Sequence, residues 1–205
     1  MQNEPVIYAG ADLATAKKAL VMLHGRGAQA EDILALADHL KIADFALAAP
    51  QAAGNTWYPY SFMAPTAQNE PWLSASLQLV SQTVARIIEN GISKEHIYLL
   101  GFSQGACLTL EFAARNAARY GGIIAFTGGL IGKEINTTNY PGSFRETPVF
   151  IGTSDPDFHV PVERVDASAE ILTKMGAAIT KKVYKNMGHT INQDEIMMAN
   201  NILQG

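Results

Sequence analysis

Ile97-Tyr98-Leu99-Leu100-Gly101-Phe102-Ser103-Gln104-Gly105-Ala106 is the stretch whose reading decides the fold. A continuous apolar run leads in, as in a strand buried on both faces. A small-residue helix, Ala106 to Ala118, leads out. Between them lies Gly-x-Ser-x-Gly, the pattern of a sharp strand-to-helix turn that lifts a serine hydroxyl to the top of a sheet in a strained backbone conformation. Gly101 and Gly105 remove side chains where such a turn crowds its neighbours. The helix N-terminus then faces any negative charge that develops beside Ser103. The five residues alone are a weak signal, because an ordinary turn with a helix-capping serine has the same letters. The flanking strand and helix make it specific.

Working outward, short apolar runs alternate with helix-period segments. Candidate strands are Ala19 to Leu23, Phe45 to Ala48, Ile97 to Leu100, Ile123 to Phe126, Val149 to Ile151 and Ile179 to Tyr184, with Val6-Ile7-Tyr8 as an edge strand. Ile33, Leu36, Ala37 and Leu40 share one face of a first helix. Leu77, Val80, Val84, Ile87 and Ile88 share one face of a second. Val165, Ala169 and Leu172 mark a third, with Gly176 as its stop. The last runs from about Asn192 to Leu203, with Asp194 and Glu195 in its first turn. Apolar strands separated by helices predict an α/β fold: a mostly parallel, doubly wound sheet covered on both faces. Reactive groups then gather at the carboxyl ends of the strands, in the loops after Leu23, Leu100, Ile151 and Tyr184.

Composition bounds the answer. The chain has 205 residues, 48% of them hydrophobic, which suits one domain spanning residues 1–205. Its net charge is −4 with no block of like charges, so no nucleic-acid partner is expected. No apolar stretch reaches the roughly 20 residues that span a bilayer, so no membrane insertion is expected. Cys107 is the only cysteine, which rules out an internal disulfide. The first residues show no basic-then-apolar leader, and with the free thiol this points to the cytoplasm.

A serine nucleophile needs a general base within hydrogen-bond reach. His39 falls in the first helix as a surface residue, His96 begins a strand at the far edge of the sheet, and His24 belongs to another motif. Of the remaining two, His159 and His189, the chain order Ser…Asp/Glu…His selects His189, in the loop before the last helix. The acid must lie between Ser103 and His189 at a strand's carboxyl end. Asp155 and Asp157 both do, and spacing does not separate them. The acid orients the imidazole and stabilises its charged form, while the other aspartate structures an Asp-Pro turn.

Met22-Leu23-His24-Gly25-Arg26-Gly27 follows a strand directly. A His-Gly-x-Gly turn there can aim a backbone N–H at a substrate carbonyl oxygen, with the N–H of Gln104, next after the serine, as second donor. The turn lacks the glycine and lysine pattern of a nucleotide site. Asn55-Thr56-Trp57-Tyr58-Pro59-Tyr60-Ser61-Phe62-Met63 is aromatic and lies at the same edge. Trp57 and Tyr58 are candidate substrate-binding residues, each with an apolar body and a polar tip. The competing reading has them pack the loop onto the core. His24 joins them as a candidate.

Leu23-His24-Gly25-Arg26-Gly27, Gly101-Phe102-Ser103-Gln104-Gly105, Asp157-Phe158-His159-Val160-Pro161 and Gly188-His189 together resemble the phospholipase/carboxylesterase family, which includes the acyl-protein thioesterases. The stretches run in family order from residue 23 to 189 and are closer to the small bacterial carboxylesterases. The resemblance implies an α/β-hydrolase fold without a cap domain and a Ser103–His189–Asp157 triad, the acid preceding a Val-Pro pair by three residues. It implies Arg26 and Gln104 as donors of the oxyanion hole, no metal and no organic cofactor, and a homodimer as an arrangement to expect. Arg26 stands where the thioesterases commonly have leucine. A charge at the rim would favour acidic or polar substrates.

The expected chemistry is two-step acyl transfer on a small-molecule ester or thioester. Core elements use most of the chain, which predicts an open, shallow site for small or exposed acyl groups. The alternatives are hydrolysis of a lactone or of a carbon–carbon bond by the same triad, and a hydrolase-fold protein that binds without turnover.

Overall fold

The computed structural model describes residues 6–205. Seven strands form one sheet: β1 (Val6–Gly10), β2 (Lys18–Leu23), β3 (Phe45–Pro50), β4 (Ile97–Phe102), β5 (Gly122–Phe126), β6 (Pro148–Asp155) and β7 (Ala178–Lys185). Their order is β1-β3-β2-β4-β5-β6-β7, and every pairing is parallel except β1 with β3. Each expected strand is present, and Val6-Ile7-Tyr8 lies in the antiparallel edge strand. The chain winds from β2 out to β3, then crosses back to β4 and proceeds the other way. The order therefore reverses between β2 and β4, where ligands of open α/β sheets collect. The turn His24–Gly27 and Ser103 both emerge at that point.

Alternation along the strands divides the core. Ala19, Val21, Leu23, Leu99, Ile123 and Ile151 face one side, under α2 (Trp72–Glu89), α3 (Gln104–Arg115) and α4 (Val162–Lys174). Leu20, Met22, Leu100, Ile124, Phe126 and Phe150 face the other, under α1 (Ala30–Leu34) and α5 (Gln193–Gln204). Each such side chain taken out of water contributes about 1.5–3 kcal/mol. Helix α3 is buried from Gln104 through Ala114, and its small residues let it lie close on the sheet. Its one buried charge is matched: Glu111 accepts from Arg115 Nε at 2.7 Å, Ile131 N at 3.0 Å and Tyr140 Oη at 2.8 Å. The longest connections, 51–71 and 127–147, hold only short 3₁₀ turns and no cap. Among the described residues no helix is long and apolar enough to cross a membrane.

Helix α1 departs from expectation. The face Ile33, Leu36, Ala37 and Leu40 belongs to a five-residue α-turn, α1, that tightens into a 3₁₀ turn over Ala35–His39. The tighter winding ends the helix early and lets Leu40 enter an extended conformation, still buried. In α2, Val80, Val84 and Ile87 are buried as expected, but Ile88 turns outward and is exposed. Helix α3 ends at Arg115, short of Ala118, and Gly176 ends α4 with φ +83°.

Helix α5 opens with a reciprocal cap: the Asn192 side chain accepts from Glu195 N, and Glu195 Oε2 accepts from Asn192 N, both at 2.9 Å. Glu195 is fully buried against Gly152 of β6, and its Oε1 has no partner among the described residues. Burial pushes its carboxyl up to about 7, with the Asp194 charge adding to the rise and the Asn192 hydrogen bond opposing it. A carboxyl raised in the folded state contributes stability that is full below the unfolded value, about 4.3, and is lost as pH rises through about 7. Glu195→Gln keeps the cap and cannot ionise. It should stabilise the protein at pH 8.5 by up to about 3 kcal/mol and change little at pH 4. Thermal melts of both proteins at the two pH values check this, and equal melts at pH 8.5 would refute it.

Candidate active site

Ser103 sits at the end of β4 with φ +54° and ψ −118°, a conformation that L-residues avoid. The surroundings hold it there. Its N–H donates to Phe126 O at 2.9 Å, and its carbonyl accepts from Cys107 N at 3.0 Å. A Cβ on Gly101 would lie 2.4 Å from Gly105 O, and one on Gly105 would lie 2.1 Å from Leu23 O. Both glycines are therefore required, because β4, α3 and the end of β2 approach backbone to backbone.

His189 Nε2 lies 2.8 Å from Ser103 Oγ, and its Nδ1 lies 2.8 Å from Asp157 Oδ2. A carboxylate only accepts, so Nδ1 carries the proton and Nε2 is left to accept from the serine. The Asp157 side chain is buried, and its Oδ1 accepts from His159 N at 2.8 Å and Val160 N at 2.9 Å. Burial pushes this carboxyl up, but the bonds from His189, His159 and Val160 together outweigh it and hold it below the usual carboxylate range. Asp155 is exposed at the end of β6 and does not reach the histidine; its carbonyl accepts from Asn186 N at 2.8 Å.

Three residues beside the histidine carry no site role on sequence grounds, where His159 is weighed only as a rival base. Ser154 is fully buried and its Oγ accepts from Gly188 N at 2.9 Å, tying the histidine loop to β6. The Phe102 ring lies 5.2 Å and the His159 ring 4.9 Å from the His189 ring, one on the elbow and one on the acid loop. Only the position of Ser154 at the strand's carboxyl end could have marked it. Phe158, 94% exposed, stands free on the acid loop next to Asp157.

Gln104 is the first residue of α3, so its N–H has no partner inside the helix. Arg26 is exposed in the turn after β2. Among the described residues neither N–H makes a hydrogen bond. The Arg26 side chain is exposed at the rim but tied to the loop that carries Thr56, Pro59 and Tyr60. Its guanidinium donates to Thr56 Oγ1 at 2.9 Å, Pro59 O at 3.0 Å and Tyr60 O at 2.7 Å.

His24, Trp57 and Tyr58, the candidates for substrate binding, lie beneath the surface of the site. All three are at most 1% exposed. His24 donates from Nδ1 to Gly25 O at 2.8 Å and accepts at Nε2 from Ala52 N at 3.1 Å, so it is neutral. Burial lowers its readiness to take a second proton, against smaller opposing effects of Gly25, Asp32 and Glu31. Trp57 Nε1 donates to His24 O at 2.8 Å, and the two rings lie 4.8 Å apart. These side chains pack the aromatic loop onto the core beneath the site. The loop was read correctly as lying at the site; its buried rings have the packing role.

A parallel sheet with a serine elbow after its central strand, and an acid and a histidine after later strands, defines the α/β-hydrolases. The chain belongs to the phospholipase/carboxylesterase family, whose model matches residues 3–205. A phospholipase/carboxylesterase structure from Dyadobacter fermentans DSM 18053 is 55% identical, with a TM-score of 0.97, over 98% of this chain and 97% of that one. Acyl-protein thioesterase 1 of Kluyveromyces lactis is 30% identical over 127 residues, 60% of this chain and 56% of that protein. Acyl-protein thioesterase 1 of Saccharomyces cerevisiae is 33% identical over 129 residues, 59% of this chain and 54% of that protein. The matches thus span about half the length of these curated relatives.

Proposed function

We propose that this protein is a serine hydrolase that cleaves carboxylic esters or thioesters of small or exposed acyl groups through a Ser103–His189–Asp157 triad. The observation that carries this reading is the single imidazole bridging Ser103 Oγ and Asp157 Oδ2 at 2.8 Å on each side. The names of the Dyadobacter and yeast relatives support the bond type. His189 Nε2 takes the hydroxyl proton as Ser103 Oγ attacks the acyl carbon, and Asp157 stabilises the imidazolium. The Arg26 and Gln104 N–H groups receive the oxyanion, in a position where losing one donor costs about 2.7–4 kcal/mol. His189 then protonates the leaving alcohol or thiol. In the second half it takes a proton from water, whose oxygen attacks the acyl carbon; the bond from that carbon to Ser103 Oγ then breaks, His189 returns the proton to Oγ, and the acid leaves.

Without a cap above the carboxyl edge, an acyl group presented on a larger carrier has access to Ser103. No membrane-crossing helix is present among the described residues, and the proposed setting is the cytoplasm. The test is intact-mass measurement after incubation with a fluorophosphonate, at pH 7 to 9. One adduct on the unsubstituted protein and none on Ser103→Ala is the expected result. No adduct on the folded, unsubstituted protein would overturn the triad.

A further inference from the structure

The proposed oxyanion donors sit on two separate segments, and the turn that carries Arg26 is buried at His24 and Gly25 but exposed at Arg26 and Gly27. A Cβ on Gly27 would touch nothing within 4 Å, and Gly27 has φ +79°. Gly27 N donates to Asn55 O at 2.7 Å, and Gly25 O accepts from Ala28 N at 3.2 Å and from His24 Nδ1 at 2.8 Å. These bonds hold the two glycines, while the N–H and carbonyl of Arg26 between them make none among the described residues, and glycines on either side give it conformational freedom. An oxyanion donor must instead be aimed before the reaction starts.

Resting on the hydrolase reading above, we infer that the Arg26 guanidinium is a positioning residue. It grips the 56–60 loop, which the Gln104 side chain also grips, and so fixes the two donor N–H groups relative to each other. The contacts are specific. Arg26 reaches Thr56 Oγ1, Pro59 O and Tyr60 O, and its guanidinium carbon lies 5.9 Å from the centre of the Tyr58 ring. Gln104 Oε1 accepts from Trp57 N at 3.0 Å and Thr56 Oγ1 at 3.3 Å, while its Nε2 donates to Tyr58 O at 2.8 Å. Thr56 Oγ1 thus touches both side chains. The loop is itself anchored from below, since Trp57 Nε1 bonds His24 O and Ser76 Oγ donates to Trp57 O at 2.7 Å. The result is a closed circuit: donor turn, guanidinium, loop, glutamine side chain, donor helix. Arginine suits this because its planar fork presents several donors at once, whereas lysine presents a point charge.

This assignment separates two roles that kinetics can tell apart. A rim charge that binds substrate changes KM. A brace for the oxyanion hole changes kcat and the affinity for compounds that form an oxyanion on the enzyme. The experiment compares the unsubstituted protein, Arg26→Leu and Arg26→Lys on an uncharged nitrophenyl ester, with thermal melts alongside. It also measures inhibition by a trifluoromethyl ketone, which adds Ser103 Oγ to give a tetrahedral oxyanion. In Arg26→Leu, kcat should fall about tenfold with KM nearly unchanged. The inhibition constant should rise by the same factor as kcat/KM falls, and Arg26→Lys should recover only part of the loss. An active protein whose Arg26→Leu form keeps its kcat, or loses only KM, overturns the inference and leaves the hydrolase reading intact. An unsubstituted protein that neither turns over ester nor takes up the fluorophosphonate overturns both.

Discussion

Asp157→Asn should lower kcat about ten-thousandfold while the protein keeps its fold. The carboxylate has two jobs on two oxygens. Oδ1 takes the N–H groups of His159 and Val160, and Oδ2 takes Nδ1–H of His189. Asparagine can satisfy the two backbone donors with its carbonyl oxygen, so the loop has no reason to move. Its NH₂ then points at the imidazole and donates. His189 must answer with an unprotonated Nδ1, which places its proton on Nε2, facing Ser103. A nitrogen already carrying a proton cannot take the serine's. Asp155→Asn, two residues away and exposed, should leave kcat near that of the unsubstituted protein. Steady-state rates with circular dichroism on both variants check the pair. The assignment falls if Asp155→Asn is the crippled one.

Gly105→Ala should lose at least about a hundredfold in kcat and 1–3 kcal/mol or more of stability. The added methyl would sit 2.1 Å from Leu23 O and 2.5 Å from His24 O. Both are backbone atoms and cannot rotate aside. Either α3 lifts from the sheet or the turn after β2 retreats, and each movement separates the proposed oxyanion donors from Ser103. Gly91→Ala is the informative comparison. Gly91 has φ +94° in the turn after α2 with nothing within 4 Å of the new methyl. It should cost stability through its backbone conformation and leave kcat alone. Denaturant midpoints and rates measured on the two variants separate strain from displacement.

The elbow was legible because its requirements are local: a strand, two glycines and a small-residue helix must be contiguous for a serine to turn so sharply. His189 was legible because chain order removed its rivals. Asp155 and Asp157 were not separable, since both lie at the carboxyl end of β6 and the choice depends on where the N–H groups of His159 and Val160 point. That is a property of the folded loop and leaves no trace in spacing. Trp57 and Tyr58 lie at the expected edge, with their rings buried in the core rather than open to solvent. An aromatic residue with a polar tip reads the same whether it lines a cleft or fastens a loop, and the bond from Trp57 Nε1 to His24 O spans 33 residues. The early end of α1 was hidden for a different reason. Leu36 and Ala37 stay partly buried in the 3₁₀ turn, so the apolar rhythm continues after the α-helix has stopped.

The backbone of Ser103, at φ +54° and ψ −118°, has a consequence for anyone engineering this protein. A side chain there costs about 1–3 kcal/mol that glycine would avoid. A library sorted for heat resistance alone would therefore enrich Ser103→Gly as one of its gains, discarding the proposed nucleophile as it improved the scaffold. Any thermostabilising campaign on this chain has to select on turnover in every round, because this improvement to the fold would erase the proposed chemistry.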